Sequence, residues 1–385
     1  MASLDDVVIV CAVRTPLCRA RKGGLKDVPA STLLTTVLKE TLVRTTLDGK
    51  DVDDICVGNV LAPPSGAAAW RMSALVAGFP DTTSLSTVNR QCSSGLQAVA
   101  NIANAIQSGD IQIGIGCGVE SMTQTPMHKM KPPEVDWSLM QTSKEAMECL
   151  TPMGITSENV VKEYGLGRRA LDQFAVTSHQ KAARAQRLGK FDAEIVPVGS
   201  VRKDDGLRAG TSMEILSKLK PVFDEKGVTT AGNSSQTTDG AAAVVLMTRR
   251  EALKRQLTIM GVWRGYAVKG VPPRIMGVGP AVAIPAVLEK CNVKVSDVGV
   301  YEINEAFASQ ATWCVSDLMI PIEKVNPNGG AIALGHPLGC TGARQIATLL
   351  HEMHREKHRF GVVSMCIGTG MGAAALIEVE PRSSI

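Results

Sequence analysis

Cys92 stands in Asn89-Arg90-Gln91-Cys92-Ser93-Ser94-Gly95, where an extended run, Leu85 to Val88, gives way to a helical pattern with Leu96, Val99, Ala100, Ala103 and Ile106 on one face. The thiol therefore falls at or just before a helix N-terminus. Unpaired backbone N–H groups there carry partial positive charge, which favours thiolate and is expected to lower the cysteine pKa. Most buried cysteines are inert, so a lone thiol is not a nucleophile until partners are found for it. Three segments supply candidates. Asn326 to Gly339 holds His336 in a glycine-rich loop, directly before a helix with Ala343, Ile346, Ala347 and Leu350 on one face. An imidazole there is a natural general base for a thiol. Ser364-Met365-Cys366-Ile367-Gly368-Thr369-Gly370-Met371-Gly372 ends a strand-like run with a second cysteine, followed by glycines whose N–H groups can face an oxyanion. Asn304-Glu305-Ala306-Phe307 follows the apolar stretch Val298 to Ile303 and contributes an amide.

The elements that would position these groups repeat along the chain. Val52-Asp53-Asp54-Ile55-Cys56-Val57 returns as Val295-Ser296-Asp297-Val298-Gly299-Val300, and the string from Gly240 to Val245 returns from Gly372 to Ile377. Cys92 and His336 then sit at nearly equal distances after Asp54 and Asp297, on comparable strand-to-helix turns. Packing two such halves together would bring the turns face to face. Short apolar strands alternating with helical patterns predict α/β layers, and the repeat predicts duplication.

From near residue 6 to near residue 380 the chain resembles the thiolases, most closely the peroxisomal type of 3-ketoacyl-CoA thiolase. The strings at 89–98, 304–307, 335–337 and 366–372 stand in that family's order and approximate spacing. The resemblance implies the thiolase fold, two similar duplicated α/β halves packed in layers with an inserted loop domain. Residues 1–118 and 237–260 would form the N-terminal half with Cys92, and 261–385 the C-terminal half with Asn304, His336 and Cys366. Residues 119–236 would be the loop domain that holds coenzyme A. In this reading Cys92 is the nucleophile, His336 its base, and Cys366 the acid and base at carbon. A water on Asn304 and the N–H of Gly368 would serve as oxyanion donors. Arg208, Phe223, Ala231 and Ser235 match coenzyme A positions, and Met153, Ala306 and Phe307 match substrate positions. Relatives of this type carry a longer stretch between Pro197 and Arg208, so the placement of Arg208 is where the chain departs from the pattern. The implied reaction is thiolytic cleavage of medium- to long-chain 3-ketoacyl-CoA. Coenzyme A is a substrate, with no separate cofactor and no metal, and the expected assembly is a homodimer.

Composition narrows the alternatives. The 385 residues are 44% hydrophobic, ample for two or three domains with cores. A net charge of +4 and 3% aromatic residues give neither the basic field nor the stacking platforms of a nucleic-acid binder. No apolar run is long enough to predict a membrane span. Ten cysteines without CxxC pairs read as reduced thiols, not as a disulfide framework or a zinc site. His351, His354 and His358, and the clusters Arg249-Arg250-Glu251 and Arg355-Glu356-Lys357, read as solvated helix faces. Gly114-Ile115-Gly116-Cys117-Gly118 lacks the third glycine of a dinucleotide fingerprint, since Val119 stands there, and reads as close strand-to-helix packing. Neither a basic-then-apolar leader nor a C-terminal Ser-Lys-Leu is visible, so a peroxisomal setting follows from the resemblance alone. The competing classes are a non-catalytic acyl-CoA-binding protein of the same fold and a short-chain acetoacetyl-CoA thiolase.

Overall fold

The computed structural model describes residues 3–62, 66–129 and 132–380. Met130 and Lys131, within the irregular stretch between Thr123 and Trp137, lie outside the described residues, as do both extreme termini.

Among the described residues ten strands form one sheet: β1 (Val7–Arg14), β2 (Cys18–Arg19), β3 (Asp54–Gly58), β4 (Ser84–Val88), β5 (Ile113–Ser121), β6 (Thr238–Thr248), β7 (Gly261–Gly270), β8 (Val298–Ile303), β9 (Phe360–Ile367) and β10 (Met371–Glu378). The helices of ten residues or more are α1 (Ala30–Thr45), α2 (Ala67–Ala77), α3 (Ser94–Ser108), α4 (Met153–Tyr164), α5 (Arg168–Arg187), α6 (Gly279–Lys290), α7 (Ala308–Asp317) and α8 (Thr341–Glu356).

The strand order β4-β3-β5-β6-β1 is followed, across the β1·β7 pair, by β7-β10-β9-β8. A parallel bridge from Tyr301 to Val325 marks the place of a fifth strand beside β8. Within each half the same pairings recur: β3·β5 and β8·β9 parallel, β5·β6 and β9·β10 antiparallel, β1·β6 and β7·β10 antiparallel. The duplication expected from the repeated strings is thus present as topology. Residue by residue the second echo slips by one: Ala241 and Ala243 face outward with α1, whereas Ala373 and Ala375 face the centre. A one-residue slip exchanges the faces of a pleated strand, so β6 and β10 correspond as strands but not in the register of their strings.

Alternation along the strands builds three apolar cores. Leu96, Val99 and Ala103 of α3 meet Ile346 and Leu350 of α8 between the halves, with Val244, Leu246, Val363 and Met365 beneath them. Leu33, Leu34 and Val37 of α1 cover the outer face of the first half, and Ile284 and Val287 of α6 that of the second. The result is five layers, helix, sheet, helix, sheet, helix. The central crossing needs glycine, because a Cβ on Gly95 would come 2.6 Å from the Gly339 carbonyl oxygen and one on Gly342 would overlap Leu96. Gly116 and Gly118 do the same work on β5, against Val99 and Gly339.

The chain leaves the sheet after Ser121 and re-enters at Thr238. In the short segment between Pro197 and Arg208, Val198 and Val201 exchange both backbone hydrogen bonds at 3.0 Å around a Gly199-Ser200 turn. Buried Arg14 of β1 clamps this segment through Glu194 Oε1 at 2.6 Å and Asp204 Oδ1 at 2.7 Å. Two surface expectations need correction. Arg249 is buried and ion-paired with Asp6 and Glu380, and His354 Nε2 donates to Met260 O at 2.7 Å. Both tie α8 and the segment after β6 to the neighbouring strands instead of lying in water. Among the described residues no helix is long and apolar enough to cross a membrane, and no cluster of His, Cys, Asp or Glu is placed to hold a metal ion.

Candidate active site

The turn between β4 and α3 is tight. Gln91 takes φ +46°, Asn89 Oδ1 accepts from Gln91 N at 2.9 Å, and Ser94 Oγ accepts from Arg90 N at 2.9 Å. This leaves Cys92 one residue before the Ser93 cap of α3, its side chain packed with Val60, Leu61, Met122 and Leu338. The position agrees with the sequence, but the expected acidity does not. Burial pushes the thiol up to about 11, opposed by N–H groups of Gly368 and Cys92 itself and reinforced by the Glu120 carboxylate. A helix end lowers a cysteine pKa where water still reaches it; here loss of water is the larger effect.

Gly368 begins the three-residue loop that joins β9 to β10, with Thr369 at φ +71° and Gly370 at φ +94°. Its N–H donates to Cys92. Cys366 precedes that loop on β9, fully buried, and burial together with the nearby Cys92 holds its thiol well above the usual range.

His336 is buried, and burial, helped by the charge of Arg344, pushes its imidazolium pKa down to about 3. The ring is therefore neutral, and its tautomer follows from its partners. Thr341 Oγ1 lies 2.6 Å from His336 Nδ1 and 2.9 Å from Pro337 O. The carbonyl can only accept, so the one hydroxyl proton goes to Pro337 O and Nδ1 carries the proton given to Thr341. Nε2 is left with the lone pair. Asn304 Nδ2 donates to it over a long 3.3 Å, while Asn304 N is fixed by Ser364 O at 2.9 Å. Asn304 Oδ1 is buried without a partner among the described residues, an arrangement that costs about 1–3 kcal/mol unless another donor arrives.

Around these groups, Met153, Ala306, Phe307 and Cys366 pack in one cluster with Met276. Met153 opens α4 behind Pro152. Phe223 meets Phe307 edge-on at 6.2 Å and lies over Gly154, where a Cβ would overlap its ring. Ser235 N donates to Ala306 O at 3.0 Å, so the strand-like stretch 233–235 runs beside 306–308, with Ala231 exposed just before it. Arg208 is exposed and its N–H donates to His179 Nδ1 at 3.2 Å, which fixes the backbone and leaves the guanidinium outward. Sequence reasoning missed Thr341, Met276 and Glu120. Thr341 had a readable signal, standing at the start of the helix that follows the histidine.

With this geometry, comparison with known proteins is informative. The description Thiolase, N-terminal domain, matches residues 7–250, and Thiolase, C-terminal domain, matches 257–379. The chain belongs to the thiolase family. It is 54% identical over 391 residues to the peroxisomal 3-ketoacyl-CoA thiolase of Homo sapiens, covering 98% of this chain and 92% of that protein. The dimeric peroxisomal thiolase of Saccharomyces cerevisiae superposes with a TM-score of 0.94 at 46% identity over 99% of both chains. The human mitochondrial 3-ketoacyl-CoA thiolase in complex with CoA superposes at 0.90, 36% identical, over 99% of this chain and 100% of that one. Within a thiolase, two cysteines, a neutral histidine and an amide at the junction of the halves are a set able to make and break a carbon–carbon bond through a thioester.

Proposed function

We propose that this chain is a 3-ketoacyl-CoA thiolase, an acyltransferase that uses coenzyme A to cleave medium- to long-chain 3-ketoacyl-CoA into acetyl-CoA and a shortened acyl-CoA, the last step of fatty acid β-oxidation. The observation that carries this reading is the meeting of Cys92, Cys366 and the Gly368 N–H at one buried point, with the Asn304–His336 pair at the end of the adjoining loop. Peroxisomal relatives support a peroxisomal setting, and the dimeric yeast relative supports a homodimer.

Nε2 of His336 takes the Cys92 proton as Sγ adds to the 3-keto carbon. The resting thiol is too weakly acidic to ionise first, so deprotonation and addition are coupled. The new alkoxide lies against the N–H groups of Cys92 and Gly368. As it re-forms the carbonyl, the bond between C2 and C3 breaks and its electrons pass to the acetyl-CoA enolate. The enolate oxygen is met by His336 Nε2–H and a water on Asn304, and Cys366 gives its proton to C2. The Cys366 thiolate then takes the proton of a second coenzyme A, whose sulfur attacks acyl-Cys92. Cys92 leaves as thiolate and recovers its proton from His336, so the cycle closes. No redox step or metal is invoked.

The 119–236 excursion is read as the coenzyme A domain, with Arg208 toward the nucleotide, Phe223 toward the adenine and pantetheine, and Ala231 and Ser235 along the arm. Met153, Ala306 and Phe307 are read as the wall of the acyl end. Pro152, before Met153, offers no hydrogen-bond donor, and an apolar wall rewards each buried methylene by roughly 0.8 kcal/mol. The test is thiolysis of 3-ketodecanoyl-CoA and acetoacetyl-CoA at one coenzyme A concentration, with mass analysis of Cys92 after each. Higher kcat/KM for the longer substrate and an acyl group on Cys92 are expected. A preference for acetoacetyl-CoA overturns the chain-length reading, and absence of any acyl-Cys92 overturns the enzyme reading in favour of an acyl-CoA-binding protein.

A further inference from the structure

Glu120 lies near the end of β5, fully buried. Among the described residues its charge is met by hydrogen-bond donors alone. Oε1 accepts from Asn59 Nδ2 at 3.0 Å and Leu61 N at 3.2 Å; Oε2 accepts from Val60 N at 3.0 Å and Gly339 N at 2.9 Å. Three of these donors belong to the turn after β3 in the first half. The fourth belongs to the His336 loop of the second half. Gly339 can approach because it has no side chain, since a Cβ there would come 2.6 Å from Gly58 O. Val60, Leu61 and Leu338, the residues so fixed or their neighbours, are among those packed around Cys92.

We propose that Glu120 is a positioning residue of the thiolase reaction: one buried carboxylate holds the turn that walls in the nucleophile and the loop that carries the base at a fixed separation. It acts through Val60, Leu61 and Gly339 and touches no reacting atom. A second consequence follows from its charge, which opposes ionisation of Cys92 and of Cys340. Glu120 thereby adds to burial, the larger effect, in keeping the nucleophile a thiol until substrate addition draws the proton to His336. Four converging donors explain why the residue is an acid and not an amide. A glutamine offers one acceptor oxygen and turns its NH2 group toward two N–H donors. Burial holds the Glu120 pKa up at about 7, against the pull of the same four hydrogen bonds, so the group is poised but still able to carry charge.

The inference rests on the thiolase reading, and the two can fail separately. Acylation of Cys92 in the parent enzyme tests the reading, whereas alkylation of Cys92 by iodoacetamide needs no acyl substrate. In E120Q, kcat is expected to fall by about 100-fold with the KM for both substrates nearly unchanged, the loss that goes with small misplacement of reacting groups. E120D keeps the charge with a shorter reach and is expected to recover part of kcat. At one pH, Cys92 should be alkylated faster in E120Q than in E120D, because only the glutamine removes the opposing charge. A kcat in E120Q close to the parent's, or equal alkylation rates in the two variants, overturns the proposal. Should E120Q fail to fold, E120D decides it, and a kcat equal to the parent's is then the refuting result.

Discussion

The hydrogen bond between His336 Nδ1 and Thr341 Oγ1 can be broken almost without changing shape, by Thr341→Val. Thr341 is fully buried, its hydroxyl proton is committed to Pro337 O, and it is the acceptor that fixes Nδ1 as the protonated nitrogen. Valine leaves that Nδ1–H buried and unpaired, at about 1–3 kcal/mol. The ring can escape this cost by moving its proton to Nε2, provided Asn304 turns its amide. Asn304 Oδ1 is free to accept there, being unpartnered in the present arrangement. The tautomer with a basic Nε2 should then fall by about 5- to 150-fold in population, as 1–3 kcal/mol implies. Because Nε2 is the proposed base, kcat falls by the same factor while KM for acyl-CoA and coenzyme A stays near the parent value. Thr341→Ser keeps the hydroxyl and should restore most of kcat. Steady-state kinetics separate the two constants, and 15N shifts of the imidazole report the tautomer directly. A valine variant with parental kcat, or one whose tautomer is unchanged while kcat falls, refutes the assignment of Nε2 as the base.

Cys366→Ala is expected to leave slow acylation of Cys92 but to abolish proton exchange at the methyl group of acetyl-CoA, measured by deuterium incorporation; exchange at the normal rate would remove Cys366 from its role at C2. Cys92→Ala should eliminate the acyl-enzyme altogether in the same mass analysis. Asn304→Ala should lower turnover on the order of 100- to 1,000-fold with much less effect on KM, the usual cost of losing one oxyanion donor; a pure KM effect would place Asn304 outside the oxyanion site. Arg14→Ala strands the buried carboxylates of Glu194 and Asp204 and should destabilise the fold by about 3–5 kcal/mol, read as a lower urea midpoint, whereas an unchanged midpoint would show that the clamp on the 194–204 segment is dispensable.

What the sequence made legible was local. Leu96, Val99, Ala103 and Ile106 announce α3, the strings ending at Val245 and Ile377 announce paired strands, and the glycines of β5 announce close packing; each depends on neighbours within one element. What stayed hidden depends on partners far along the chain. Arg14 meets Glu194 and Asp204 some 180 and 190 residues away, Glu120 meets Gly339 across 219, and Arg249 is buried through Asp6 and Glu380. No spacing rule brings such residues together before the halves are packed. The misjudged acidity of Cys92 has the same origin: the helix end is visible in the sequence, but the Val60, Leu61 and Leu338 side chains that exclude water from the thiol are not.

Burial shifts all the titratable groups of the site in one sense. It raises the thiols of Cys92 and Cys366 and lowers the imidazolium of His336, so each is neutral at rest. A preformed thiolate–imidazolium pair would need either solvent or strong counter-charges, and the Glu120 carboxylate, which acts on Cys92, has the wrong sign for a thiolate. Charge must therefore arise on the substrate oxygen, where the Gly368 and Cys92 N–H groups wait, instead of on sulfur beforehand. This gives the duplicated architecture a physical purpose. Each half contributes one strand-to-helix turn, and the close approaches of Gly95 to Gly339 and of Gly342 to Leu96 press the two turns together, so the proton transfer proposed above would cross a dry junction. A nucleophile and base placed on a single turn would share its exposure to water; placed on two turns that close on each other, they lose that water only by virtue of the packing that also aligns them.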